Sequence, residues 1–338
     1  VVIIGLAKSA GGKCSLFNQL GKREVSSISP YLTSGKSVVV GRRSTSLSDL
    51  NPMIKGSIPA DGGGLILSDV ERKQLIGDEI PESWIRPFIG ATEFLHGKPR
   101  YCLLVGDADY QKAQAFPELV SRFDSVRRMR QESSKQATKD LALTPHLFAE
   151  SRVVDAPSLL IPVVSSENRY YLPVEFCSES VVVYASAQAI YNPQSWLIGV
   201  LSTRMHRIWV EMVCGKLESR IRYSSAIGYN TFPFPSISKQ REQELAMCAL
   251  RILEVRERYP DRTLAELYDP DKMPEDLLEA HKLNDEAVER CYRARPFESD
   301  EDRLQVLFDL YAKMTAEEAD KGSLFESSKT KKKRKRHA

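Results

Sequence analysis

Between Ser202 and Pro235 the chain reads STRMHRIWVEMVCGKLESRIRYSSAIGYNTFPFP, a segment with few ways to fold. Met205, Ile208, Trp209, Met212 and Val213 recur at spacings of three and four, which puts them on one helical face and commits that face to a core. An Arg-rich turn and an extended aromatic-proline run follow. Arg204, Arg207, Lys216, Arg220 and Arg222 supply cations, and Glu218 supplies an acceptor. Phosphates need Lys or Arg and base edges need planar donors and acceptors, so the segment is a candidate polynucleotide contact. A plain core helix explains its apolar stripe equally well, and one helix can serve both ends. Alternate side chains of an extended segment share a face. Glu218, Arg220 and Arg222 are therefore expected to include the direct base readers. Arg favours guanine and Glu accepts from cytosine, which suits a G·C pair.

With 338 residues, 42% of them hydrophobic, the chain can bury the core of one or two domains. Its six cysteines form no CxxC pair and its five histidines no ligand spacing, which points to a reducing, cytoplasmic setting. No apolar run approaches the roughly 18 residues of a membrane span, and no signal-peptide pattern opens the chain. It begins on an apolar strand, Val1 to Leu6, rather than on Met, so a fragment of a larger protein is expected.

The formal charge of +3 conceals three compartments. Residues 1–235 hold 27 basic and 22 acidic residues, 236–328 hold 14 and 23, and the last ten hold seven basic and none acidic. The first compartment carries short β-rich runs at Val1 to Ala7, Ser37 to Gly41, Tyr101 to Gly106, Leu159 to Val164 and Val181 to Ala185, separated by Gly, Pro and Ser. A mixed α/β or α+β body is expected. The second is helical: Ser238 caps a helix with Leu245, Cys248, Ala249, Ile252 and Val255 on one face. Pro274 opens another as a first-turn proline, and Ser299 caps a third through Leu304, Leu307, Phe308 and Tyr311. This acidic bundle is not expected to face phosphate. The tail KKKRKR, Lys331 to Arg336, reads as a disordered basic end, serving either nuclear import or nonspecific nucleic-acid contact.

Two catalytic patterns nearly match. Ala7 to Cys14 approaches the phosphate-binding GxxxxGK[ST] loop, but Ala7 replaces the first Gly and Cys14 the metal-binding hydroxyl residue. A hairpin between strands Val1 to Ala7 and Cys14 to Leu20 fits better. Asp61 with Glu71, Arg72 and Lys73 resembles the carboxylate and Lys arrangement of metal nucleases. Asp69 to Ile76 reads more simply as a surface helix after Ser68.

Several long blocks carry a resemblance to a known family: GSIPADGGGLILS (Gly56 to Ser68), FIGATEFLHGKPRYCLLV (Phe88 to Val105), IPVVSSENRYYLP (Ile161 to Pro173), RYSSAIGYNTFPFP (Arg222 to Pro235) and LAELYDPDKMPEDLLEAH (Leu264 to His281). From Val1 to about Thr315 the chain resembles MmeI-like (type IIL) fused restriction-modification enzymes. In that family a nuclease region precedes an adenine-specific, S-adenosylmethionine-dependent methyltransferase, and a target recognition domain with a helical end follows. The resemblance implies that residues 1–30 end the methyltransferase in its terminal hairpin. By the same resemblance 31–235 form the DNA target recognition domain, 236–325 the helical domain and 326–338 the tail.

The methyltransferase signature NPPY is absent, since Asn51-Pro52-Met53-Ile54 and Asn192-Pro193-Gln194-Ser195 share only its first two residues. The chain alone is therefore expected to have no catalytic residues and no cofactor or metal of its own. S-adenosylmethionine, and Mg for cleavage, are implied for the full-length enzyme. The expected partners are double-stranded DNA and the upstream methyltransferase domain, with no membrane. Arg42, Arg43, Lys55, Arg127, Arg128, Arg130, Arg169, Arg204 and Arg207 are candidates for backbone contact, with Arg127, Arg128 and Arg130 forming a positive stripe. Arg169 has Glu167 as an alternative partner. The competing readings are a noncatalytic scaffold that docks protein through the acidic bundle, and a nucleotide-dependent enzyme using the Ala7 to Cys14 loop.

Overall fold

The computed structural model describes residues 4–5, 14–18, 21–35 and 37–334. Its strands are β1 (Cys14–Asn18), β2 (Gly21–Val25), β3 (Met53–Lys55), β4 (Ile66–Leu67), β5 (Ile85–Ile89), β6 (Tyr101–Leu103), β7 (Ser158–Pro162), β8 (Val164–Ser165), β9 (Glu175–Cys177), β10 (Val182–Val183), β11 (Ala187–Tyr191), β12 (Lys216–Leu217) and β13 (Arg220–Arg222). In the body, the helices are α1 (Asp69–Gly77), α2 (Ala91–His96), α3 (Asp107–Ala113), α4 (Pro117–Gln131), α5 (Gln136–Asp140), α6 (Leu197–Leu201) and α7 (Arg204–Val213). After them come α8 (Lys239–Glu257), α9 (Leu264–Leu267), α10 (Glu275–Tyr292) and α11 (Asp300–Arg334). The expected order of a mixed α/β body followed by helices holds.

Two four-stranded sheets form the body. One runs β10-β5-β6-β4, with β10 parallel to β5 and the rest antiparallel; the other is the antiparallel sheet β3-β11-β7-β9. Every residue of β7, SLLIP, is buried, as a central strand covered on both faces must be. Residues 61–148 fold α1 to α5 around the first sheet, with their own core of Leu65, Phe88, Leu103, Leu119, Phe123 and Val126. Ser68 and Glu71 cap α1 reciprocally, satisfying backbone donors that the first turn leaves open.

The helices after residue 236 are not a separate bundle. Leu245, Val288, Leu304, Leu307 and Phe308 belong to the same core as Leu159, Ile190, Met205 and Trp209. Gly199 permits the closest approach, because a Cβ there would meet Leu245 O at 3.0 Å and Asn284 Oδ1 at 3.1 Å. Asn284 Nδ2 instead donates to Gly199 O at 2.8 Å.

Several local expectations change. Ser37 to Gly41 is not a strand: tyrosine hydroxyls take its backbone donors, Val40 N–H donating to Tyr31 Oη (2.9 Å) and Gly41 N–H to Tyr311 Oη (3.2 Å). β1 pairs with β2. Residues 1–3 and 6–13, and with them most of the expected strand Val1 to Ala7 and of the phosphate-loop near-match, lie outside the described residues. Ser238 does cap α8, accepting from Arg241 N–H. Pro274 precedes α10 as its extended N-cap, one position earlier than a first-turn proline. The helical backbone of α11 continues to Arg334, into the stretch expected to be disordered, and 335–338 lie outside the described residues.

Candidate nucleic-acid interface

The RIR sequence of β13 folds as alternation dictates: Ile221 is buried while Arg220 and Arg222 are exposed. The strand pairs on one side with β12 (Lys216↔Ile221, Leu217↔Arg220) and on the other with β8 (Ile221↔Ser165, Arg222↔Val164). Glu218 and Ser219 form a two-residue tip, with Glu218 in the left-handed region at φ 58°. Arg220 and Arg222 thus share a face as spacing predicts, but Glu218 leaves it for the turn. Its carboxylate accepts from Arg220 at 2.8 Å. Both side chains are exposed, and such a pair is worth under about 1 kcal/mol, so it opens at little cost. Ser219, which spacing did not single out, lies beside Glu167 and helps to hold its carboxyl below the ordinary value.

Three more cations, one of them on the hairpin itself, flank the turn that follows it. No ion pair or hydrogen bond engages the side chains of Arg222, Arg42 or Lys55 among the described residues. Arg222 precedes a single π-helical turn, Ser225–Tyr229. Arg43 N–H donates to Ala226 O at 2.8 Å, which brings neighbouring Arg42 to that turn. β3, ending in Lys55, packs against the same turn, and Tyr229 Oη donates to Asn51 O at 2.7 Å. The aromatic-proline run beyond is the anchor: Phe232 and Phe234 are buried, and Tyr292 Oη donates to Pro233 O at 2.9 Å.

The other candidates are engaged within the fold, some of them fully and some weakly. Arg130 is fully buried and donates to the carbonyls of Pro59, Ala60, Leu141, Thr144 and Leu147 at 2.8 to 2.9 Å, so no phosphate reaches it. The expected stripe on α4 therefore does not form. Arg127 pairs with Asp124, and exposed Arg128 lies at 3.4 Å from Asp124 O. Arg207 is buried, donating to Glu167 O, Arg169 O and Glu211 Oε2, each at 2.6 Å. Arg169 is half-buried, reaches Ser165 Oγ at 3.4 Å rather than Glu167, and has its pKa lowered by burial. Arg204 pairs with Asp300 of α11, and Arg43 pairs with Glu318 at 2.7 Å. Acids of the C-terminal helices thus neutralise two of the cations assigned to phosphate.

The nuclease near-match dissolves as well. Asp61 Oδ2 accepts from Leu65 N–H at 2.7 Å, Glu71 caps α1 and binds Arg122, and Lys73 pairs with Asp69. Ser68 and Arg122 hold the Glu71 carboxyl down at about 2. The two Asn-Pro dipeptides brace each other, Asn51 Nδ2 donating to Asn192 O at 3.0 Å.

Where α7 meets α10, Asp285 accepts from Arg204 N–H (2.7 Å) and Tyr171 Oη (2.8 Å). Burial raises its pKa from an ordinary 3.8 to about 7. The folded state therefore holds a proton that the unfolded chain has released. This contribution is full below the unfolded value and is lost as pH rises through the folded one. Asp285→Asn, whose amide can serve both partners, is expected to remove that loss, up to about 4 kcal/mol at ~1.4 per unit. Urea unfolding of both proteins at about pH 5 and pH 8 checks it; a parallel pH dependence contradicts it.

Comparison with known proteins agrees with this architecture. The family description "MmeI, target recognition domain" matches residues 34–236, and "MmeI, C-terminal domain" matches 237–318. DNA methyltransferase A of Bacillus subtilis (strain 168) is 41% identical over 302 residues, covering 89% of this chain and 34% of that protein. A solved structure described as the type IIL restriction-modification enzyme MmeI in complex with DNA superposes with a TM-score of 0.82 at 35% identity, over 87% of this chain and 40% of that one. The chain spans well under half the length of both relatives. It belongs to the MmeI family, as a target recognition domain followed by a C-terminal domain.

Proposed function

We propose that this chain selects the DNA sequence on which an MmeI-like restriction-modification enzyme acts, with the methyltransferase preceding it in the same polypeptide. The observation that carries the proposal is the β12-β13 hairpin, whose buried Ile221 turns Arg220 and Arg222 outward beside the weakly paired Glu218. Phosphate contacts from Arg42, Lys55 and Lys216 would set register, while planar groups on the hairpin discriminate bases in the major groove. The adenine to be methylated would be extruded into the neighbouring domain.

S-adenosylmethionine and Mg²⁺ belong, in this proposal, to parts of the enzyme outside this chain. The carboxylates nearest to a metal motif here are engaged by Leu65, Ser68 and Arg122. The proposed setting is the cytoplasm, where thiols stay reduced, in keeping with six free cysteines.

Exchanging Glu218→Lys together with Arg220→Asp is expected to change preference at one base position. Each lost pair costs roughly 1 to 3 kcal/mol of discrimination. The measurement is a binding or methylation selection over randomised sites with the intact enzyme. Unchanged preference at equal affinity removes both residues from readout. Uniform loss on every site demotes them to phosphate contact or structural support.

A further inference from the structure

We propose that Arg207 is a positioning residue for readout: it holds the Glu167–Arg169 loop, and through that loop the tip of the Lys216–Arg222 hairpin, at one setting. The consequence for DNA rests on the function proposed above; the positional claim does not.

Arg207 is a guanidinium spent on backbone. Its Nε donates to Arg169 O and one terminal nitrogen to Glu167 O, so a single rigid fork grips two carbonyls of the loop. Its other terminal nitrogen donates to Glu211 Oε2, and Glu211 Oε1 lies 4.0 Å from Lys216 Nζ at the hairpin's base. The gripped loop then reaches the hairpin, because it leaves β8, whose Ser165 pairs with Ile221 of β13, and it sets Glu167 beside Ser219 of the tip. The tip would otherwise be weakly set, since β12 is two residues long and exposed.

The other end of the latch is fixed to the C-terminal helices. Arg204, one turn earlier on α7, gives its backbone N–H to Asp285 of α10 and its side chain to Asp300 of α11. The hairpin is therefore referenced to the helical domain through one helix, and Arg207 is the link between helix and loop. An arginine that merely filled space would need no such matched set of acceptors.

The test compares the full chain with Arg207→Gln and with Glu167→Ala, a change at a half-buried position outside the core. Hydrogen exchange reads position, and binding to a randomised duplex pool reads selectivity. Arg207→Gln is expected to speed exchange in 166–170 and 216–222 selectively. It should lower the preference for the best over the average duplex about tenfold, the scale of one charge-assisted hydrogen bond. Affinity for the average duplex should stay nearly constant. Glu167→Ala should reproduce the effect at 216–222 alone, and Arg207→Lys should restore part of it.

Unchanged exchange at 216–222 in both Arg207→Gln and Glu167→Ala overturns the latch. So does exchange that rises evenly through the chain in Arg207→Gln with no change in Glu167→Ala, since that is general destabilisation. Selectively faster exchange with undiminished sequence preference overturns the role in readout. A parent chain without sequence preference for any duplex sinks the DNA-reading function instead, and exchange then decides the latch on its own.

Discussion

Replacing Arg130 with methionine is expected to lower stability by about 2 to 6 kcal/mol, read as a shift in the urea midpoint at unchanged slope. Five carbonyls converge on this one side chain; those of Pro59, Leu141 and Thr144 keep a backbone N–H donor without it, while those of Ala60 and Leu147 lose theirs. Each buried orphan costs about 1 to 3 kcal/mol, less whatever water recovers by entering. Arg130→Lys keeps the charge but has three donors for five acceptors, so it should fall between. The carbonyls belong to 59–60 and 141–147, two segments that the Arg130 side chain ties together, so both should loosen in hydrogen exchange. A loss below about 1 kcal/mol would mean that the pocket closes without its donor.

Trp209→Ala should cost about 3 to 5 kcal/mol, the usual scale for emptying a fully buried aromatic site. The indole meets Phe308 at 5.3 Å and Tyr311 at 5.8 Å between ring centroids, and Nε1 donates to Thr231 Oγ1 at 3.2 Å. Those partners lie on α11 and on the aromatic-proline run, so one truncation weakens both the body and its contact with the C-terminal helices. Chemical denaturation followed by far-ultraviolet circular dichroism should show one transition at lower denaturant. Two separated transitions would instead make the C-terminal helices an independent unit, against the shared core.

Both predictions bear on how far the sequence could be read. The apolar stripe of α7 was legible because a period of three to four is a local property, and Met205, Ile208, Trp209 and Val213 are buried as it requires. The same holds for the caps at Ser68, Ser238 and Ser299, whose oxygens bond amides three residues away. The alternation of Arg220, Ile221 and Arg222 was legible for the same reason. Glu218 was misplaced because a two-residue tip breaks the alternation, and its positive φ is set by the pairing of Lys216 with Ile221.

What the sequence determined by itself is therefore local or cumulative: helix faces, caps, the order of a mixed body and later helices, and the long blocks that carry the family. Which arginines remain available for a ligand was decided only by tertiary structure. Arg204 meets Asp300 across 96 residues, and Arg43 meets Glu318 across 275. Arg130 faces inward while Arg128, two positions earlier on the same helix, stays exposed. A cation's charge is a property of its residue, but its partner is whichever acid or carbonyl the fold brings within about 3 Å, and no spacing along the chain encodes that.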